Sequence, residues 1–182
     1  MNFKIEEVQK STNTNQIKRI YETSFKEDER LPFMMMQILS KLRSTHFYAY
    51  YEEDEMIGFS YFGVKKNITF ITFLAVDESK RSLGYGKLIL NHIQLLYPNN
   101  KIILTIEPSE KSYDYTQRSK RKRFYLENGF LETDHYMKLG GKEQEILIKN
   151  GDFKKEELFL FFLRYSNFTM IKKIYKKIED VK

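Results

Sequence analysis

The sequence predicts an α/β (α+β) fold: a central mixed, mostly antiparallel sheet of six to seven strands flanked by helices, with a C-terminal helical extension. Three observations lead there. The apolar run Ile68–Val76 reads as a strand. It passes through the basic, glycine-bearing turn Asp77–Lys87 into residues Leu88, Ile89, Ile93, Leu96 and Tyr97, which recur at helical spacing. Two earlier apolar runs, Phe47–Tyr51 and Met56–Val64, flank the acidic turn Glu52–Glu55 as the arms of a hairpin. Beyond position 150, Leu158, Phe161, Tyr165, Phe168, Ile171, Tyr175 and Ile178 fall three or four apart and form one helical stripe.

The remaining elements follow in chain order. Phe3–Val8 reads as a first strand, and Ile17, Ile20, Tyr21, Ser24 and Phe25 mark one face of a first helix. Pro32 opens a second helix reaching Leu42, with an apolar face at Phe33, Met34, Ile38, Leu39 and Leu42. After the hairpin, the Ile68–Val76 strand and the helix beyond its glycine turn come a strand over 102–107, a helix ending at Asn128, and a hairpin turning at Gly140 and Gly141. The order is βααβββαβαββ. Residues 1–150 are expected to form one domain, with 151–182 packed on it.

Composition narrows the function classes. Among 182 residues, 41% are hydrophobic and 31% charged, which is ordinary for a globular chain with a full core. Fifteen Phe and thirteen Tyr supply large apolar bodies, while eight Gly and three Pro argue against a repeat or low-complexity protein. The absence of cysteine excludes disulfides, thiolate metal sites and a cysteine nucleophile, so any acyl transfer is direct or passes through another side chain. The segment Met1–Glu7 has no signal-peptide core, and the longest apolar run, Leu158–Leu163, is too short to span a bilayer; a cytoplasmic location and no membrane partner are expected. A net charge of +6 suits an anionic ligand and equally serves solubility. His46, His92 and His135 have no metal-ligand spacing and receive no role.

The turn carries the chemistry. Glycines at 84 and 86 let backbone approach a ligand, and the following helix presents unpaired N–H groups and a positive dipole end to an anion. The pattern contains neither the GxxxxGK[ST] of a nucleotide-hydrolysing loop nor the GxGxxG of a dinucleotide fold. Instead Arg81, Ser82, Leu83, Gly84, Tyr85 and Gly86 resemble the (R/Q)xxGx(G/A) acetyl-CoA signature of the GNAT N-acetyltransferases, and Phe124-Tyr125-Leu126-Glu127-Asn128-Gly129-Phe130 resembles that family's FYxxxGF element. The element order over roughly residues 1–150 is the one a GNAT fold uses.

This resemblance implies an acetyl-CoA-dependent transfer to a primary amine of a small molecule, peptide or protein. It implies that the backbone of Leu74, Ala75 and Val76 pairs with the pantetheine arm as an added strand would. Arg81, Ser82, Leu83, Gly84, Tyr85, Gly86 and Lys87 would hold the pyrophosphate. Tyr125 would be the general acid for the leaving thiolate, although its apolar neighbours Phe124, Leu126 and Phe130 also suit a packed core tyrosine. Glu107 would be the base or a water-organising carboxylate, and Glu29 would face the acceptor.

Arg118, Lys120, Arg121, Lys122 and Arg123 crowd the first turns of the Tyr125 helix, where the dipole disfavours cations. A nearby anion resolves the conflict, as does simple exposure to solvent. Where the family often has a cofactor-contacting asparagine seven positions before the tyrosine, this chain has Arg118, which implies a charge-assisted contact to the cofactor instead. Two rival classes stand: a non-catalytic acyl-CoA sensor, and a basic nucleic-acid-binding protein. Retention of Gly84, Gly86 and Tyr125 favours catalysis, and no aromatic interleaves the basic run to stack on bases, so nucleic acid is not the expected partner. A monomer or homodimer is expected.

Overall fold

The computed structural model describes residues 3–10, 13–42, 44–108, 115–139, 141–165 and 174–176. They form eight strands and five α-helices in two compact units, Met1–Val64 with Ile71–Pro98, and Lys65–Phe70 with Asn99–Lys182.

In the first unit, strands β1 (Phe3–Glu7), β2 (Thr45–Glu52), β3 (Glu55–Lys65) and β4 (Ile68–Val76) are hydrogen-bonded in that order, β4 entering this unit at Ile71. β1 pairs antiparallel with β2, and β2 antiparallel with β3. The two-residue period of β2 sends alternate side chains to opposite faces. Phe47, Ala49 and Tyr51 join the core of Ile17, Ile20 and Tyr21 from helix α1 (Thr14–Ser24) and Met36 from helix α2 (Phe33–Leu39). His46, Tyr48 and Tyr50 lie against helix α3 (Tyr85–Leu96) and its cap Tyr97.

Tyr21 organises the first face. Its ring meets Phe59 and Phe73 edge-on at 5.9 and 5.0 Å, while its hydroxyl accepts from Leu31 N at 2.7 Å and donates to Leu31 O at 3.1 Å. Burial pushes this phenol up to about 12. α2 departs from the expected pattern. It stops at Leu39, and Met34, Ile38 and Leu42 are 72, 57 and 52% exposed, while Met36 is buried. A helix of two turns buries Met36 and packs Phe33 against the core, and leaves Met34 and Ile38 outside.

Two histidine–tyrosine pairs bind α3 to the other face: His92 Nδ1 lies 3.0 Å from the Tyr50 hydroxyl, and His46 Nε2 lies 2.6 Å from that of Tyr97. Tyr50 also meets Ser60 Oγ at 2.8 Å. Burial holds both imidazoles below their ordinary 6.5; Glu7 partly opposes this at His46. Their charging is therefore easier in the unfolded chain, so stability is full above about pH 6.5 and falls as pH drops through and below it. The expected result is a melting temperature that declines from pH 7.5 to 5.5, with a shallower decline in His92→Gln. Equal slopes for the two proteins would remove His92 from the effect.

The second unit contains the first residues of β4, 68–70, then β5 (Lys101–Ile106), α4 (Tyr115–Glu127), β6 (Leu131–Leu139), β7 (Lys142–Lys149), α5 (Lys155–Tyr165) and β8 (Ile174–Lys176). β5–β7, β7–β6 and β6–β8 all pair antiparallel. Its core joins Ile68, Phe70, Ile103, Met137, Ile146 and Ile148 to Leu158, Phe161 and Phe162 of α5 and Ile174 of β8.

The expected single helical stripe is thus corrected. Leu158, Phe161 and Tyr165 do lie on α5, but Tyr175 lies on β8 opposite Tyr136, which raises the strand count to eight. Pairing with β6 outweighs the local helical spacing there. Phe168, Ile171 and Ile178 lie outside the described residues, as does Gly140. No helix among the described residues is long and apolar enough to cross a membrane.

Candidate active site

The expected site residues divide between the units: Glu29, Leu74–Val76 and Arg81–Lys87 in the first, and Glu107, Arg118 and Tyr125 in the second. Leu74, Ala75 and Val76 close β4. Beside them β3 bulges, since Tyr50 faces Gly58 while Tyr51 faces Met56, and Asp77 N donates to Ile57 O at 2.7 Å. A Cβ on Gly58 would stand 2.2 Å from Ala75 O and 3.0 Å from Val76 Cα, so only glycine permits this approach. Sequence reading missed Gly58. A glycine inside an apolar strand is the signal that marks such an approach.

The turn after β4 is built by local bonds. Asp77 accepts from Ser79 N at 3.0 Å and Ser79 Oγ at 2.7 Å, and its other oxygen receives Arg19 Nη2 at 2.9 Å. These donors hold its carboxyl below the ordinary range although burial acts the other way. Ser82 and Gly84 both take left-handed backbone, with φ of 64° and 87°. The chain therefore reverses sharply into α3, whose N-cap, Gly84, has no side chain to occupy the first N–H groups of the helix. Arg81, Ser82, Leu83 and Lys87 are exposed around it. Tyr85 of the same turn donates to Glu52, and Lys80 pairs with Glu55, so both ends of the β2–β3 turn brace the loop. Glu29 sits half-buried in a 3-10 turn, Glu27–Glu29, between α1 and α2.

In the second unit, Glu107 follows the last residue of β5 and is 12% exposed; one oxygen pairs with Arg118 and the other lies 3.5 Å from Lys142 Nζ. Farther along α4, Lys122 pairs with Glu132 and, at 2.8 Å, with Glu145, whose side chain is only 6% exposed. Burial raises the Glu145 carboxyl, and Lys122 opposes this. The conflict between a basic helix start and the helix dipole thus has an internal answer: Glu107 just after β5, Glu132 of β6 and Glu145 of β7 meet Arg118 and Lys122. One turn later Tyr125 is buried, with Phe124 and Phe130 edge-on at 5.1 and 5.5 Å. Burial raises its phenol, and Arg121 only partly offsets this. Its hydroxyl has no hydrogen bond among the described residues.

Residues 43–132 match the acetyltransferase (GNAT) domain family. No curated protein matches the sequence. Among solved structures, a GNAT-family chain from Bacteroides thetaiotaomicron is similar at a TM-score of 0.70 and 19% identity, covering 91% of this chain and 98% of that one. The ribosomal-protein-S18-alanine N-acetyltransferase from Escherichia coli is similar at 0.62 and 15%, covering 87% and 99%. The PaiA N-acetyltransferase from Thermoplasma acidophilum, solved with coenzyme A, is similar at 0.59 and 17%, covering 82% and 99%. Residues 43–132 thus carry a GNAT acetyltransferase domain, and acetyl-CoA is the cofactor of that family.

Proposed function

We propose that the protein transfers acetyl from acetyl-CoA directly to a primary amine of a small molecule or peptide. The observation that carries this reading is the turn from β4 into α3, where left-handed Ser82 and Gly84 leave the helix start uncapped by any side chain. Backbone N–H groups at such a start, flanked by Arg81 and Lys87, suit a pyrophosphate. Leu74, Ala75 and Val76 would pair with the pantetheine arm. Acetyl-CoA supplies an activated thioester carbonyl for attack.

The chain's own groups then move protons. The amine must shed a proton before its lone pair attacks, and the departing thiolate must gain one. Tyr125, whose raised phenol keeps its proton at neutral pH, is the donor in this reading. Glu107 has both oxygens turned to cations, which suits organising water near the acceptor better than taking the proton itself. Arg118, already paired with Glu107, would reach a cofactor phosphate only by sharing that carboxylate, and Glu29 would border the acceptor.

Binding to the folded state alone, at about a hundredfold excess over Kd, stabilises by roughly 2.7 kcal/mol, so acetyl-CoA should visibly raise the melting temperature. In Gly84→Glu, a left-handed backbone position receives a side chain and an anion faces the pyrophosphate, so the shift should vanish. A shift retained in that variant would displace the site. Release of free CoA across a panel of amines and peptides then identifies the acceptor, and no release with any of them would favour the sensor reading.

A further inference from the structure

The turn from β4 into α3 is shaped by a carboxylate, which is the wrong charge for an anion site. Asp77 Oδ1 accepts from Ser79 N and Ser79 Oγ at 3.0 and 2.7 Å, and the side chain is only 13% exposed. Those bonds fold the 3-10 turn Glu78–Lys80 and direct the chain toward left-handed Ser82 and Gly84. The group that builds the turn therefore also brings a negative charge to it. The turn's own cations are already engaged. Lys80 is paired with Glu55, and Arg81 donates from Nε to Val76 O and from Nη2 to Ser24 Oγ, both at 3.4 Å. Burial would raise the Asp77 carboxyl, but the Ser79 bonds, then Arg19 and Arg81, hold it below its ordinary range. The cation in contact with Asp77 comes from α1: Arg19 Nη2 lies 2.9 Å from Oδ2, across a sequence separation of 58. Arg19 is 65% exposed at the side chain, so this pair contributes little to folding. Its consequence lies in the electrostatics of the turn.

We propose that Arg19 is a positioning residue of the acetyl-CoA site: it neutralises Asp77, so that the carboxylate shaping the turn neither repels the cofactor's pyrophosphate nor draws Arg81 away from it. The inference rests on the β4–α3 turn holding that pyrophosphate, and every residue it invokes lies within the first unit. The pantetheine arm carries no such charge and is indifferent to Arg19.

The test measures ligand affinity and melting on the full chain. Arg19→Ala should melt close to the wild type yet bind acetyl-CoA about tenfold more weakly. Acetyl-pantetheine, which lacks the pyrophosphate, should bind the two proteins equally. Asp77→Asn keeps an oxygen for Ser79 but removes the charge, so adding it to Arg19→Ala should restore acetyl-CoA affinity to within about twofold of the wild type. Unchanged acetyl-CoA binding by Arg19→Ala, a parallel loss for acetyl-pantetheine, or no recovery in the double variant would each overturn the proposal. A melting temperature that falls along with affinity would make Arg19 a folding contact and overturn it too. Gly84→Glu separates this inference from the reading beneath it. Acetyl-CoA binding retained in Gly84→Glu would displace the whole site, whereas binding lost there but kept in Arg19→Ala would remove Arg19 alone.

Discussion

Tyr125→Phe is expected to lower the acetyl-transfer rate by about 10²- to 10⁴-fold, the usual loss for one positioned proton donor. The acetyl-CoA-induced rise in melting temperature should persist, because phenylalanine keeps the ring that packs on Phe124 and Phe130. Kinetics with an identified acceptor amine, paired with melts of both proteins, separate the two effects. Turnover near the wild-type rate would remove Tyr125 from catalysis. An isolable acetyl-enzyme would contradict direct transfer; the chain has no cysteine to carry such an acyl group.

Lys122→Met should cost a large share of the stability. It strands Glu145, 6% exposed at the side chain, and Glu132 without their common cation. Removing one partner of a buried pair typically costs roughly 3–5 kcal/mol, and the partial exposure of Lys122 and Glu132 places the expectation at the lower end. Without the lysine, the Glu145 carboxyl, already raised by burial, rises further. The variant then loses stability as pH climbs through that value, so its deficit should be larger at pH 8 than at pH 5. Adding Glu145→Gln should recover part of the loss. Urea unfolding at the two pH values decides the matter: a deficit under about 1 kcal/mol at pH 8 would reduce the cluster to an ordinary surface pair.

What could be read from the residues was what neighbours in sequence determine. Strand Ile68–Val76, the turn through Gly84 and the α3 helix follow from period, glycine placement and spacing within a few positions. The match to Phe124–Phe130 likewise lies within one helix and its end. The structure adds relations between distant positions. Gly58 matters because of Ala75, and Lys122 because of Glu132 and Glu145; no local pattern ties these together. α2 was over-extended because Met34, Ile38 and Leu42 look like a core face until the surface they meet is known. β8 was missed because three residues are too few to alternate, and its existence depends on β6.

The last strand also determines where the chain can be shortened. An end at position 150, after the family's usual elements, would leave His135–Met137 of β6 without the strand that pairs with them. It would also strip Phe161 and Phe162 from the ring of Phe70. Such an edge, with bared aromatics beside it, is a template for stacking one molecule on the next. A trimmed enzyme of this kind belongs in the insoluble fraction, so residues 151–176 must stay in any shortened version.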